Sequence, residues 1–142
     1  MDWEAWARRA EAALSVKAQR EWRGLFAEGA TFADPQTTTP TADLKAISRD
    51  TRSIFPDWEQ EITSIRGADG WAVFEWIGRA TYAPGSGQPG AGAPIELHGA
   101  TIVEVDGDGL VTAWRDYLDR KEPEDQIRRA ARAERDRPRP GT

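Results

Sequence analysis

The order of apolar and polar positions along the chain predicts helices first and strands afterwards. Residues 2–14 place tryptophan, alanine and leucine on one helical face and charged residues mostly on the other. The same spacing over residues 17–28 predicts a second helix, with Gly29 as its C-cap. Residues 30–34 are expected to form a short strand that stops at Pro35, because proline cannot donate to a sheet ladder.

A third helix is expected before the periodicity changes. Thr41 suits the N-cap position and Asp43 the first turn, and the helix is expected to end before Pro56. The positions that this helix would bury at helical spacing are Leu44, Ile47, Thr51, Ile54 and Phe55.

Strand-like segments then follow one another. They are residues 59–66, 71–82, 95–105 and 110–119. Residues 83–94 contain four glycines and three prolines, which is typical of a loop. This loop is either a lid at a pocket mouth or only a long hairpin connection. A charged helix is expected over residues 122–135, and residues 136–142 are expected to be disordered.

These elements predict one α+β domain over residues 1–135. The 142 residues match the size of a single domain, and neither a linker nor an internal repeat divides them. Helices in the first part of the chain, followed by consecutive long strands, favour helices packed on one face of an antiparallel sheet. Several α+β folds share this pattern.

The composition excludes several kinds of site. The chain has no cysteine and one histidine, His98, so thiolate sites and metal centres built on two or three imidazoles are excluded. A carboxylate-only metal site stays open, but no loop spaces its acids as a calcium loop does. We therefore expect neither a metal nor another cofactor.

Charge and hydropathy narrow the choice of partners. The net charge of −5 argues against nucleic acid, and no apolar run reaches the roughly 20 residues of a membrane span. The N-terminus does not have the pattern of a signal peptide, so a cytoplasmic protein is expected. Seven tryptophans either fill the core or line a cavity for an apolar or aromatic ligand.

Three segments carry a resemblance to a known family. They are LFAEGATFADP (25–35), FPDW (55–58) and VDGDGLVTAWRDYLD (105–119). In these segments, and in their order from about residue 3 to 128, the chain resembles the SnoaL-like branch of the nuclear transport factor 2-like superfamily. The resemblance implies a cone: a strongly curved antiparallel or mixed sheet wrapped around three N-terminal helices, with a C-terminal helix. It also implies a deep apolar pocket and a homodimer through the outer face of the sheet.

Two aspartates are the main catalytic candidates. Asp34 falls where ketosteroid isomerases carry their general base, and Asp116 falls where polyketide cyclases and epoxide hydrolases of this fold carry an acid or base. In one apolar pocket, desolvation and repulsion would raise the pKa of one of them. The alternatives are a turn-forming role for Asp34 and a salt bridge of Asp116 with Arg115 or Arg120.

The chain departs from the related enzymes at other positions. Trp76 and Gly78 stand where limonene epoxide hydrolase carries an Arg-x-Asp pair, so its triad is broken, and Phe32 replaces a water-holding tyrosine. Ala10 and Thr101 stand where ketosteroid isomerase carries its oxyanion-hole tyrosine and aspartate. We therefore expect neither ordinary epoxide hydrolysis nor steroid isomerisation.

His98 is the third catalytic candidate. SnoaL-type cyclases use a histidine that aligns near Ala100, two residues from His98 and hence on the same strand face. His98 would then pair with Asp116; the alternative is an ordinary sheet histidine. The residues expected to line the pocket are Phe32, Phe55, Trp58, Phe74, Trp76, Gly78, Ala100 and Trp114.

Two functions remain in competition. The first is a cofactor-independent enzyme that uses paired aspartates for proton transfer on a small apolar or polycyclic molecule, in a cyclisation, isomerisation, dehydration or epoxide opening. The second is a non-catalytic module of the same fold that binds a small molecule or dimerises. The missing triad residues favour the second, and the two acids favour the first.

Overall fold

Five strands form one mixed sheet in the computed structural model, which describes residues 1–15, 24–36, 42–85 and 87–138 without the side chain of Leu44. The strands are β1 (Phe26–Ala33), β2 (Glu59–Ala68), β3 (Trp71–Thr81), β4 (Pro94–Val105) and β5 (Val111–Leu118). They lie in the order β1-β5-β4-β3-β2. β1 and β5 run parallel, and the other neighbours are antiparallel.

The described residues also contain three α-helices, none of them long and apolar enough to cross a membrane. They are α1 (Trp3–Leu14), α2 (Leu44–Ile54) and α3 (Lys121–Arg135). Asp2 caps α1, and Asp43 caps α2 by accepting a hydrogen bond from the N–H of Ala46 at 3.0 Å. Thr41, the predicted cap of α2, lies outside the described residues. Asp43 is therefore the cap itself and not a residue of the first turn.

Helix α1 packs on one face of the sheet, which we call the inner face. The ring of Trp6 in α1 is fully buried, 5.8 Å from that of Phe74 in β3. Phe55, after α2, lies 6.1 Å from Trp58, whereas Ile54, predicted to be buried, is 40% exposed. Because side chains alternate along a strand, every second residue of β3 and β4 joins this core. The α+β architecture predicted from the sequence is confirmed.

The predicted second helix is wrong at its C-terminal end. Residues 16–23 lie outside the described part of the chain, but residues 26–28 belong to β1. Gly29 has a φ of 75° within that strand, where the register against β5 shifts. The residue therefore serves a bulge and not a helix cap. Pairing with β5 and burial of Phe26 outweigh the local helical spacing.

Helix α3 fixes the glycine- and proline-rich loop and the adjoining end of β4. The N–H of Gly90 donates to Glu134 at 3.3 Å, and a Cβ at Gly90 would lie 2.7 Å from the carbonyl oxygen of Ile127. The side-chain amide of Gln126 hydrogen-bonds the backbone N–H and carbonyl of Glu96 at 2.8 and 2.6 Å. These contacts favour the anchored hairpin connection over a lid.

Candidate active site

A cleft of about 100 Å³ lies where β1 stops pairing with β5, and it contains both predicted carboxylates, Asp34 and Asp116. The last parallel pair is Ala33 with Arg115. One further residue along each strand therefore brings the two aspartates to the same place. The rest of the lining comes from Ala33, Pro35, Arg115 and Tyr117.

The carboxylate of Asp116 is held by one of its two oxygens. Oδ1 accepts hydrogen bonds from the hydroxyl of Thr101 at 2.6 Å and from Nε1 of Trp114 at 2.7 Å. Thr101 lies opposite Asp116 in the β4–β5 pair, and Trp114 precedes Asp116 by two residues on the same face. Trp76 Nε1 in turn donates to the hydroxyl of Thr101 at 2.8 Å. Among the described residues, none donates a hydrogen bond to Oδ2 of Asp116.

Burial changes the acidity of this group. The pKa of Asp116 is raised from the ordinary 3.8 to about 6, mainly by desolvation and to a smaller extent by the negative charge of Asp34. The hydrogen bonds from Thr101 and Trp114 stabilise the carboxylate and act in the opposite direction. A carboxyl group with this pKa accepts and releases protons near neutral pH.

Asp34 has different surroundings. Its Oδ1 accepts a hydrogen bond from the N–H of Gln36 at 2.9 Å, so the turn-forming role predicted as an alternative is confirmed. Its Oδ2 accepts one from the guanidinium of Arg120 at 2.7 Å. The side chain of Asp34 is 15% exposed and that of Arg120 is 53% exposed. Asp34 therefore combines a turn, an ion pair and a place in the cleft.

The predicted salt bridge of Asp116 with a neighbouring arginine is wrong. Arg115 donates to Glu104 at 2.9 Å, and Arg120 binds Asp34. Arg115 and Asp116 are neighbours in β5, so their side chains point to opposite faces of the sheet.

His98 is also on the opposite face of the sheet from Asp116. Gly99 and Thr101 lie on the inner face, which places His98 and Ala100 on the outer one. The His98 ring is 57% exposed, with Nδ1 2.6 Å from a carboxylate oxygen of Glu122. The predicted pairing of His98 with Asp116 is therefore wrong, as is Ala100 in the pocket lining. A register error of one residue reverses every side chain.

Aromatic rings fill much of the inner face. The Trp58 ring packs directly on Gly78, so that a Cβ at residue 78 would lie 2.2 Å from it. The Trp76 ring packs on Gly99 in the same way, at 2.3 Å from a Cβ at residue 99. The Trp58 and Trp76 rings are 6.1 Å apart. The predicted lining residues Phe74, Trp76 and Trp114 are buried, and Phe32, Phe55 and Trp58 pack against them partly exposed. In the described residues these rings therefore act mainly as core.

The contact of Thr101 with Asp116, like that of Arg120 with Asp34, was not predicted from the sequence. Thr101 is fully buried and polar, and the sequence singles it out only as a departure from ketosteroid isomerase. The pairing of Thr101 with Asp116 could be predicted only by counting residues outward along β4 and β5 from the turn at residues 106–109. The β4–β5 register shifts between Glu104 and Val105, however, so an ungapped count is out by one residue and assigns the wrong face.

A family comparison agrees with this architecture. The model of the SnoaL-like domain matches residues 6–114. The chain belongs to this family. The matched part of this SnoaL-like domain includes Trp76 and Thr101 and ends two residues before Asp116. No curated protein matches the chain.

Solved structures share the fold of this SnoaL-like domain. AclR from Streptomyces galilaeus, a proposed hydroxylase, superposes with a TM-score of 0.74 at 17% identity, over 89% of this chain and 95% of that one. IdmH from Streptomyces antibioticus, a proposed polyketide cyclase, gives 0.74 at 19%, over 84% and 94%. An LEH-like epoxide hydrolase of M. tuberculosis gives 0.67 at 18%, over 89% and 92%. The cone-shaped α+β fold implied by the resemblance is confirmed.

Proposed function

We propose that this SnoaL-like domain is a cofactor-independent enzyme of the cyclase or isomerase type, which transfers protons on a small apolar or polycyclic molecule. The observation that carries the proposal is the state of Asp116. It lies in a cleft beside a second carboxylate, it is anchored through Oδ1, and burial raises its pKa to about 6. These are the properties of a general base that becomes a general acid in the same cycle.

In the proposed reaction Asp116 removes a proton from a carbon next to a carbonyl group. The C–H bond breaks, an O–H bond forms on Asp116, and the electron pair moves into the carbonyl as an enolate. In an isomerisation the protonated Asp116 returns the proton to another atom of the same molecule. In a cyclisation the enolate carbon attacks a second carbonyl, and Asp116 protonates the resulting alkoxide. Protons and electrons balance without an oxidant or reductant.

Asp34 has a supporting role in this scheme. The guanidinium of Arg120 lies 2.7 Å from its Oδ2 and offsets part of the negative charge of Asp34, so the two carboxylates of the cleft are not equally compensated. A pair of unequal acids is a recurrent arrangement for acid–base chemistry, because different surroundings separate their two tasks.

The test is turnover of a panel of polyketide-like carbon acids by wild-type protein and Asp116→Asn. We expect Asp116→Asn to lower turnover by about 10²-fold or more, the usual contribution of general acid–base catalysis. Asp108→Asn makes the same chemical change in an exposed turn and is the matched control. Equal turnover in the two variants would refute the proposal.

The packed aromatic interior favours a second candidate, a non-catalytic binding module of the same fold. Trp58 covers Gly78, and Trp76 covers Gly99. In that case a ligand quenches tryptophan fluorescence with the same affinity in wild type and Asp116→Asn, and no product forms. Trp76→Ala is a poor probe of this candidate, because Trp76 is 4% exposed and belongs to the core.

We also propose that two copies pair through the outer face of the sheet. Trp71 and Tyr117 are 45% and 48% exposed, and large exposed aromatic side chains are enriched at protein interfaces. Light scattering at micromolar concentration tests this: a dimer mass supports it, and a monomer mass at all accessible concentrations contradicts it.

A further inference from the structure

The hydrogen bonds that reach Asp116 from the core have a defined direction. An indole N–H is a donor only, so the 2.8 Å contact between Trp76 Nε1 and Thr101 Oγ1 occupies a lone pair of the hydroxyl. The hydroxyl hydrogen of Thr101 is then left for its other partner, Oδ1 of Asp116, at 2.6 Å. Trp76 therefore sets the direction in which Thr101 donates.

Thr101 and Trp76, the two residues of this hydrogen-bonded series that lie in the core, are tightly packed and shielded from water. Thr101 is 0% and Trp76 4% exposed, so water does not compete for either group. The Trp76 ring lies on Gly99, where a Cβ would come within 2.3 Å, and its other side meets the Trp58 ring at 73°. A donor held in this way keeps its geometry without reorganisation when charge changes on its acceptor.

We propose that Thr101, oriented by Trp76, is a positioning residue that holds Asp116 by Oδ1 and leaves Oδ2 as the oxygen that exchanges the proton with the substrate. This inference rests on the proposed function. The charged residues that line the cleft with Asp116 are Asp34, just after β1, and Arg115, whose guanidinium binds Glu104. Asp34 in turn binds Arg120. Thr101 is the partner of Asp116 on β4 and carries no charge.

Removal of the Thr101 hydroxyl is expected to change the pKa of Asp116, which would not happen if Thr101 only filled space in the core. Thr101→Val keeps the shape of the side chain and removes the donor, so the ionised form of Asp116 loses a hydrogen bond. We expect the pKa of Asp116 to rise by about one pH unit. Thr101→Ser keeps the hydroxyl, and we expect it to retain the wild-type pKa.

The experiment is a ¹³C NMR titration of the aspartate carboxyl groups in the full chain, with the Asp116 signal assigned by its loss in Asp116→Asn. A higher pKa in Thr101→Val, restored in Thr101→Ser, supports the proposal. An unchanged pKa in Thr101→Val, or an equal shift in both variants, overturns it. Trp76→Phe keeps a ring and removes the N–H, and a smaller shift in the same direction is expected. Should that variant fail to fold, the two Thr101 variants decide alone.

Turnover separates this inference from the function on which it rests. With an active substrate, Thr101→Val is expected to lower kcat about tenfold at unchanged KM and to move the midpoint of the pH–rate profile upward. If Asp116→Asn is inactive but Thr101→Val keeps the wild-type pH profile, the proposed function stands and the positioning role of Thr101 is refuted. If Asp116→Asn turns over substrate at the wild-type rate, the proposed function is refuted. The ¹³C titration then still tests whether Thr101 donates its hydrogen bond to Asp116.

Discussion

Asp34 and Asp116 line the same cleft where β1 stops pairing with β5, and they differ in what surrounds them. Asp34 accepts hydrogen bonds from Arg120 and from the backbone after Pro35, whereas Asp116 accepts them from Thr101 and Trp114. Desolvation is the largest cause of the raised pKa of Asp116, and the charge of Asp34 is the smallest. The two acids are therefore unequal, and Asp116 is the group suited to exchange a proton near neutral pH.

Removal of the Asp34 charge is expected to lower the pKa of Asp116 only in part. Asp34→Asn removes the repulsion but leaves the desolvation in place, so a decrease of roughly half a pH unit is expected. The ¹³C titration measures it, and Asp108→Asn, which makes the same chemical change in the exposed turn before β5, is the control. A return of the Asp116 pKa to about 3.9 would contradict burial as the main cause.

The raised pKa also predicts how stability depends on pH. Between the unfolded value near 3.9 and the folded value of about 6, the folded protein binds more protons at Asp116 than the unfolded chain does. The free energy of unfolding therefore falls as pH rises through this window, by about 1–3 kcal/mol for this group. Asp116→Asn removes this loss.

Urea unfolding at pH 4 and pH 7 measures the effect. The stability of Asp116→Asn relative to wild type is expected to increase from the lower to the higher pH, whereas Asp108→Asn keeps a constant difference. A difference between Asp116→Asn and wild type that does not change with pH argues against a raised pKa.

The contact of Trp76 with Gly99 predicts a large effect of one methyl group. In Gly99→Ala the new Cβ would lie 2.3 Å from the buried indole of Trp76, so the ring must move and its bond to Thr101 is strained. We expect a loss of about 1–3 kcal/mol in unfolding free energy. Gly107→Ala has no atom within 4 Å and is expected to change stability by less than about 0.5 kcal/mol. Equal thermal midpoints for both variants would contradict the packing.

The position of His98 predicts that this residue is dispensable for turnover. His98→Gln changes the outer face, where the imidazole meets Glu122 at 2.6 Å with 57% of the side chain exposed. We expect unchanged kcat and KM, and a stability change below about 1 kcal/mol, because side-chain contacts at exposed positions contribute little. Glu122→Gln serves as the matched variant on the other side of the contact. If His98→Gln lowers turnover and Glu122→Gln does not, the prediction that His98 is dispensable is wrong.

Local patterns predicted those elements whose residues interact with near neighbours. The apolar spacing of α1, the alternation along β3 and the proline near the start of α3 depend on geometry that repeats every few residues. The predicted bounds of these elements lie within one or two residues of the observed ones. The segment around Phe26 is the exception, because only its pairing with β5, 85 residues later, makes it a strand.

The sequence by itself determined the family, the α+β class and the choice of Asp34 and Asp116, because these depend on local periodicity and on motifs within single segments. The tertiary structure alone decided the partners of those acids. Arg120 reaches Asp34 across 86 positions, and Thr101 reaches Asp116 across 15 through a register that shifts once. A strand's face changes with a shift of one residue, so sequence distance does not specify such contacts. Burial, which sets the acidity of Asp116, arises only when those strands and helices are packed together.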